Sequence, residues 1–360
     1  MKILQIANSL HIGGAEKLLV DSIPLYRAKG IDMELLLLNG TKTPFYSELE
    51  KNGVIIHSLS IGNIKTVYNP LHIFHIIPYL KKYDIIHVHL FPAIYWAALA
   101  KWLSKSKTKL IFTEHNTSNR RITKKGIWQI FDRFIYRQYN IIVSITSNVD
   151  SIIKVHLTDK KNKFKIINNG INIAKYSSAT SSDTNNKKSK IIIQISSFQE
   201  PKDQQTVIRA MQFLPENVVL QLVGDGVTRK QCEQLVNDLN LSDRVLFLGV
   251  RTDVPLLLKS ADIVIMSSHW EGFGLAAVEG MAACKPVIAS DVKGLSEVVS
   301  NAGLLFEKGN AKDLAEKITS LFNDNEFYQK ISQQCFERAK QYDINTMIYK
   351  YIDLYNKLLN

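Results

Sequence analysis

The stretch Ile263-Val264-Ile265-Met266-Ser267-Ser268-His269-Trp270-Glu271-Gly272-Phe273-Gly274-Leu275-Ala276-Ala277-Val278-Glu279-Gly280 holds the fold in miniature. Its first four residues are apolar and mostly β-branched, as in a strand buried on both faces. A short loop and a Gly-x-Gly turn follow, and from Leu275 the composition favours a helix. Gly272 and Gly274 let backbone approach a ligand closely. A helix opening near Gly274 offers free N–H groups to an anion. Glu271 stands in the loop before that helix, and Glu279 lies about one turn inside it. Two carboxylates bracketing such a helix end suit a ligand with a central diphosphate and hydroxyl-rich groups on both sides. On spacing alone, a Gly-rich turn beside a capped helix with a surface Glu fits equally well.

Working outward, the same alternation of strand and helix fills the chain. Lys2–Ala7, Met33–Leu38, Val54–Leu59, Ile85–His89, Lys109–Thr113 and Ile141–Ser144 read as strands. Glu16–Lys29 and Pro92–Ser104 have helical periodicity between them. The polar segment 177–190 reads as a linker or surface loop. A second series follows: Ile191–Ser196, Val218–Val223, Val245–Leu248, Ile263–Met266, Val287–Ala289 and Gly303–Phe306. The expected fold class is therefore α/β, with two Rossmann-like domains whose parallel sheets face across a cleft. The first domain is expected over residues 1–172 and the second over 173–343. Ile344 to Leu359 carries a helical apolar stripe with no obvious place in a finished second domain, so it is expected to return to the first.

A chain of 360 residues accommodates two such domains, and 46% hydrophobic with 22% charged residues is the balance of a core-forming protein. The N-terminal apolar run is too short for a signal peptide. No window reaches the ~18 apolar residues of a membrane span. The three cysteines have no metal-type spacing, which points to a reducing, cytoplasmic setting. The net charge of +12 invites a nucleic-acid or membrane reading. It is not spread evenly. Residues 1–175 hold 25 basic and 11 acidic side chains, a net of +14, whereas residues 176–360 are at −2.

Taken together, Gly13-Gly14-Ala15-Glu16, Glu114-His115-Asn116, Asn169-Gly170-Ile171, Val223-Gly224-Asp225-Gly226, Phe247-Leu248-Gly249 and the Glu271–Glu279 stretch resemble, in order, the motifs of the retaining glycosyltransferases of family 4. That resemblance covers essentially the whole chain and implies a GT-B-type fold. It implies a sugar moved from a UDP- or GDP-sugar to a saccharide or lipid-linked saccharide, in capsule, O-antigen or other surface-polysaccharide synthesis. By the same resemblance Glu279 binds ribose hydroxyls, while Glu271 and the Phe273, Gly274 and Leu275 backbone face the sugar and diphosphate. His115 contacts the donor sugar near the anomeric centre, and Gly14 approaches the donor diphosphate or the acceptor. Lys202 matches the family's diphosphate lysine. Ser197 occupies the position where the family usually has Arg, so a permanent cation is missing there. Arg251 is expected to compensate or to contact the base. No cofactor and no metal is expected, since no Asp-x-Asp motif accompanies the cluster and the nucleotide-sugar is a co-substrate. Front-face attack, with a diphosphate oxygen accepting the acceptor's proton, is the implied route to retention.

Outside those motifs, His87 and His89 point to one face of a strand, but no third ligand has recognisable spacing, so zinc is not expected. His89 is expected to line the acceptor cleft and His87 to be structural. Lys124–Arg137 reads as a basic amphipathic helix. Either it lies on an anionic bilayer, with Arg120, Arg121, Lys124 and Lys125 against the lipid, or its apolar stripe packs into the first domain. The first alternative makes the protein peripheral on the inner face of the cell membrane. Two other readings remain open: a nucleotide-sugar epimerase of similar architecture, and a basic nucleic-acid or membrane-binding module. The neutral second half and the ordered motifs argue against a nucleic-acid partner.

Overall fold

Both series of apolar runs fold as parallel sheets, because buried β-branched strands joined by helical crossovers can pair only in that sense. The computed structural model describes residues 1–11, 13–115, 126–157, 163–179 and 189–360. The chain divides into two units, Met1–Gly170 with Ile344–Asn360, and Ile171–Asp343. The border lies at 170/171 rather than at the expected 172. The Ile171 N–H donates to Tyr342 O at 2.9 Å, and Ile171 pairs with Asp343, which joins it to the second unit.

In chain order the first unit contains β1 (Lys2–Ala7), α1 (Gly14–Ala28), β2 (Asp32–Leu37), α2 (Pro44–Lys51), β3 (Ile56–Ser58), α3 (His72–Ile76) and β4 (Ile85–His89). It continues with α4 (Ala93–Ser104), β5 (Lys109–Glu114), α5 (Ile127–Arg137), β6 (Ile141–Ser144), α6 (Ser147–Leu157) and β7 (Phe164–Ile166). Its seven-stranded sheet runs β3-β2-β1-β4-β5-β6-β7. The third strand is shorter than the expected Val54–Leu59. The Val54 N–H closes the end of α2 by donating to Leu49 O at 3.2 Å, which takes it out of the ladder. β7 has no counterpart in the sequence reading. Three residues at a sheet edge, two of them exposed, carry too little apolar pattern to read.

The second unit contains α7 (Ile173–Ser177), β8 (Lys190–Ile195), α8 (Gln204–Ala210), β9 (Val218–Val223), α9 (Arg229–Asp238), β10 (Val245–Gly249), α10 (Val254–Ser260) and β11 (Ile263–Met266). After these come α11 (Leu275–Ala282), β12 (Val287–Ser290), α12 (Leu295–Val299), β13 (Leu304–Phe306), α13 (Ala311–Asn323) and α14 (Asn325–Lys340). Its six-stranded sheet runs β10-β9-β8-β11-β12-β13. Both sheets thus have the 3-2-1-4-5 order of a doubly wound fold, and the architecture is two Rossmann-like α/β units.

The last helix, α15 (Ile344–Leu359), belongs to the first unit. Ile344, Met347, Ile348, Tyr351, Leu354 and Tyr355 recur at helical spacing and are all buried, in one cluster with Leu19, Ile23 and Tyr26 of α1. Gly170 makes room for it: a Cβ there would lie 2.6 Å from the Ile344 Cα.

Candidate active site

In the second sheet the strand order reverses between β8 and β11, and ligands of open parallel sheets gather beyond the carboxyl ends at such a point. The loops leaving these two strands are bolted together. The Gln194 side-chain amide donates to Lys202 O at 2.8 Å, and the His269 N–H donates to Pro201 O at 2.8 Å. The Ser267 hydroxyl lies 2.9 and 2.8 Å from the carbonyls of Lys202 and Asp203. Asp203 in turn caps α8, accepting from the Thr206 N–H at 3.3 Å and hydroxyl at 2.6 Å.

This fixed bend presents Lys202, whose Nζ is ion-paired with Glu271 Oε2. The other Glu271 oxygen accepts from the Gly272 N–H at 3.1 Å. The two side chains are 23% and 17% exposed, so the pair is sheltered yet reachable from solvent. Just beyond it Gly274 opens α11 at φ +84°, a left-handed conformation that a larger residue adopts only with strain. Gly274 has no side chain to cap that end, and with the Ala277 N–H turned back to Gly274 O at 2.9 Å, it is the Leu275 and Ala276 N–H groups and the positive dipole that an anion can meet.

Glu279, one turn into α11, is buried and accepts from the Tyr176 hydroxyl at 2.6 Å. Tyr176 escaped sequence reading because it sits at the edge of the polar segment, with little apolar pattern around it. The Phe273 ring is core, edge-on to Tyr342 with centroids 5.1 Å apart, so only its backbone serves the loop. Leu275 is the first residue of α11. Ser197 is exposed, its carbonyl accepting from the Gln204 amide at 3.0 Å.

Arg251 is exposed and forms a bidentate pair with half-buried Asp253, at 2.8 and 2.6 Å. A cation not singled out in the sequence, Arg229, packs over the Phe247 ring at 5.9 Å, and that ring lies 5.9 Å from Phe198 in the loop after β8. Its position at the start of α9, just after Gly224-Asp225-Gly226, was the available signal. Among the described residues no group of three His, Cys, Asp or Glu side chains is arranged to hold a metal ion.

In the first unit the strand order reverses between β1 and β4. Gly14 begins α1 after β1, and Glu16 lies in its first turn. His89 ends β4 and His115 follows β5. His89 does not line a surface, as the sequence suggested; it is 4% exposed, with Nε2 2.8 Å from Gln5 Oε1 and Nδ1 3.0 Å from His115 Nε2. It stands behind His115. Burial holds the His115 imidazole down at about 4 and His89 well below its ordinary value, so both rings are neutral at physiological pH.

The helix expected over Lys124–Arg137 is described from Ile127. Arg120, Arg121, Lys124 and Lys125 lie outside the described residues. Ile135 and Tyr136 of α5 are buried in the core, but a second set of apolar residues on the helix stays exposed. Its inward face carries Asp132, 2% exposed, which accepts from the Tyr95 hydroxyl and pairs with His156 Nε2 at 2.8 Å. Gln129 donates to His156 O at 2.7 Å. Outward stand Ile127, Ile130 and Phe131, with Trp102 and Leu103 of α4 also exposed. Trp102 packs edge-on against Phe134, which stacks on Phe131. Among the described residues no helix is long and apolar enough to cross a membrane.

Comparison with known proteins agrees with this architecture. The family model for glycosyl transferases group 1 matches residues 178–338, and that for Glycosyltransferase Family 4 matches residues 12–175. The uncharacterized glycosyltransferase MJ1178 of Methanocaldococcus jannaschii is 30% identical over 326 residues, 88% of this chain and 87% of its own. The N-acetyl-alpha-D-glucosaminyl L-malate synthase of Bacillus anthracis is 29% identical over 291 residues, 78% of this chain and 76% of its own. A Campylobacter jejuni N-acetylgalactosamine-N,N'-diacetylbacillosaminyl-diphospho-undecaprenol 4-alpha-N-acetylgalactosaminyltransferase is 24% identical over 353 residues, 93% and 94% of the two chains. Among solved structures, Anabaena Alr3699/HepE in complex with UDP and glucose superposes with a TM-score of 0.85 at 23% identity, covering 99% of this chain and 100% of that one. The chain belongs to the group 1 glycosyltransferases, family 4.

Proposed function

We propose that the protein moves a sugar from a nucleoside diphosphate to a saccharide carried on a lipid, with retention of anomeric configuration and without a metal. The observation that carries the reading is the Lys202–Glu271 pair set beside the uncapped N-terminus of α11. Breaking the bond from the anomeric carbon to the diphosphate sends its electron pair to the diphosphate oxygen. The Lys202 ammonium and the fixed N–H groups of Leu275 and Ala276 offset that charge as it develops. Lys202 then exchanges part of its contact with Glu271 for the diphosphate, and Glu271 turns to the sugar hydroxyls. Glu279, oriented by Tyr176, takes the ribose hydroxyls, and Gly14 and His115 meet the donor from the first unit. The acceptor hydroxyl oxygen bonds to the anomeric carbon on the face the diphosphate leaves, and its proton passes to the departing diphosphate. The similar Anabaena structure, seen with UDP and glucose, makes uridine nucleotides the first to try.

A transfer assay over a panel of nucleotide-sugars with a lipid-linked acceptor extract, read by mass spectrometry and by NMR of the product anomer, tests this. Lys202→Ala and Glu271→Ala should each lower kcat by about 10²–10³-fold. Near-normal turnover in both rejects the site, and an inverted product rejects the proposed stereochemistry.

The outward apolar face of α5 favours a lipid-borne acceptor over a small soluble one. In the sequence, Arg120, Arg121, Lys124 and Lys125 come just before α5, and the first half has a net charge of +14, so the complement we propose for that face is an anionic bilayer. The protein should float with vesicles containing anionic lipid. Ile127→Asp with Ile130→Asp, or charge reversal at the four basic residues, should leave it at the bottom of the gradient. Flotation unchanged in both variants rules out the membrane contact.

A further inference from the structure

A chain of polar side chains runs through the otherwise apolar middle of the first sheet. Starting from His115, its Nε2 lies 3.0 Å from His89 Nδ1, and His89 Nε2 lies 2.8 Å from Gln5 Oε1. The Gln5 Nε2 is 3.5 Å from both the Tyr355 hydroxyl and the Met33 sulfur. The Tyr355 hydroxyl is 2.7 Å from His87 Nδ1, and His87 Nε2 is 2.7 Å from the Thr113 hydroxyl. Gln5, His87, His89, Thr113 and Tyr355 are all at most 4% exposed.

Neutral rings leave few ways to distribute the hydrogens. A carbonyl oxygen only accepts, so Gln5 Oε1 requires the hydrogen of His89 on Nε2. A neutral His89 then has a bare Nδ1, which takes the hydrogen on His115 Nε2. That leaves His115 Nδ1 bare as well. The far side obeys the same logic. The Gln5 amide N–H groups face the Tyr355 oxygen and the Met33 sulfur, both able to accept. Tyr355 passes its hydrogen to His87 Nδ1, and His87 gives its own to Thr113. Every donor points the same way, and the sense of the whole chain is set by which end of the Gln5 amide faces His89.

We infer that Gln5 is a positioning residue which, through His89, holds His115 in the tautomer with hydrogen on Nε2 and keeps Nδ1 as a hydrogen-bond acceptor. This rests, for its bearing on catalysis, on the reading that His115 meets the donor sugar, whose hydroxyls then donate to Nδ1. The pattern follows the rule that the partner of one ring nitrogen decides the chemistry of the other.

The test is side-chain nitrogen NMR of ¹⁵N-histidine-labelled protein at neutral pH, with His115 assigned by His115→Ala. Wild-type His115 should show a bare Nδ1 and a protonated Nε2. Gln5→Leu should abolish that preference and raise the donor KM about tenfold with kcat changed much less. His89→Phe removes the acceptor by a second route and should do the same, in case one variant fails to fold. Tyr355→Phe should keep the wild-type tautomer, because Gln5 Oε1 still accepts from His89. An unchanged His115 tautomer in both Gln5→Leu and His89→Phe overturns the inference. A tautomer that shifts as expected while His115→Ala transfers sugar normally overturns instead the placement of His115 at the donor.

Discussion

Glu16 sits in the first turn of α1, where a carboxylate is ordinarily stabilised by the helix dipole, yet its acidity moves the other way. Burial raises it from 4.5 to about 7, and a hydrogen bond from its own backbone offsets only part of that. The carboxylate lies over Gly13, where a Cβ would come within 2.3 Å of Oε2. A raised acid has a definite sign in folding. Below pH ~4.5 both folded and unfolded chains hold the proton and nothing is lost. Between there and about 7 the unfolded chain ionises first, so stability falls as pH rises, and it stays reduced above. Glu16→Gln removes the effect. Denaturant unfolding should find wild type and variant alike near pH 4 and wild type about 3 kcal/mol the weaker near pH 8. A constant difference across that range would refute the assignment. Glu271 and Glu279 were legible in the sequence because spacing and resemblance both marked them, and Lys202 because the resemblance did. Gln5 left a fainter trace, one polar residue inside Ile3–Ala7, and its role depended on partners from three other elements.

Among elements, α5 is the one whose sequence pattern misleads most readily. Its apolar residues divide between two faces: Ile135 and Tyr136 pack into the core, while Ile127, Ile130 and Phe131 face outward. The reason is long-range: Asp132 is claimed by Tyr95 from α4 and His156 from α6, and no helical periodicity encodes partners so distant. Removing one member of a buried, paired set leaves the others unsatisfied. Asp132→Ala should therefore cost about 3 kcal/mol in denaturant unfolding, whereas Ile130→Ser on the outward face should change stability by less than about 0.5 kcal/mol. The opposite ranking would mean that the outward residues, rather than the buried Asp132 pairing, help to hold the helix. The strands were far easier to read. Ile85–His89, Ile141–Ser144, Val218–Val223 and Ile263–Met266 have the expected bounds, because runs of Ile, Val and Leu mark a buried strand even where a polar residue such as His87 interrupts them.

At the level of the whole molecule, the first unit is built from two stretches of chain, and the second stretch is essential to its core. The six buried side chains of α15 would each contribute about 1.5–3 kcal/mol on burial, a total comparable with the net stability of a domain. Truncation after Asp343 should abolish the first unit's cooperative transition in calorimetry and leave that of the second. Two intact transitions would show that α15 is dispensable. The apolar periodicity from Ile344 announced a helix in search of a partner, but only the sheet order of the first unit supplies the groove beside α1. This arrangement has a consequence during translation. The ribosome releases the whole of Ile171–Asp343 before it releases α15, so the second unit can finish folding while the first still waits for its last helix. Through that interval Tyr26, Ile23 and Leu19 stand uncovered on the nascent chain, which makes the first-synthesised unit the last to mature and the one most dependent on chaperones.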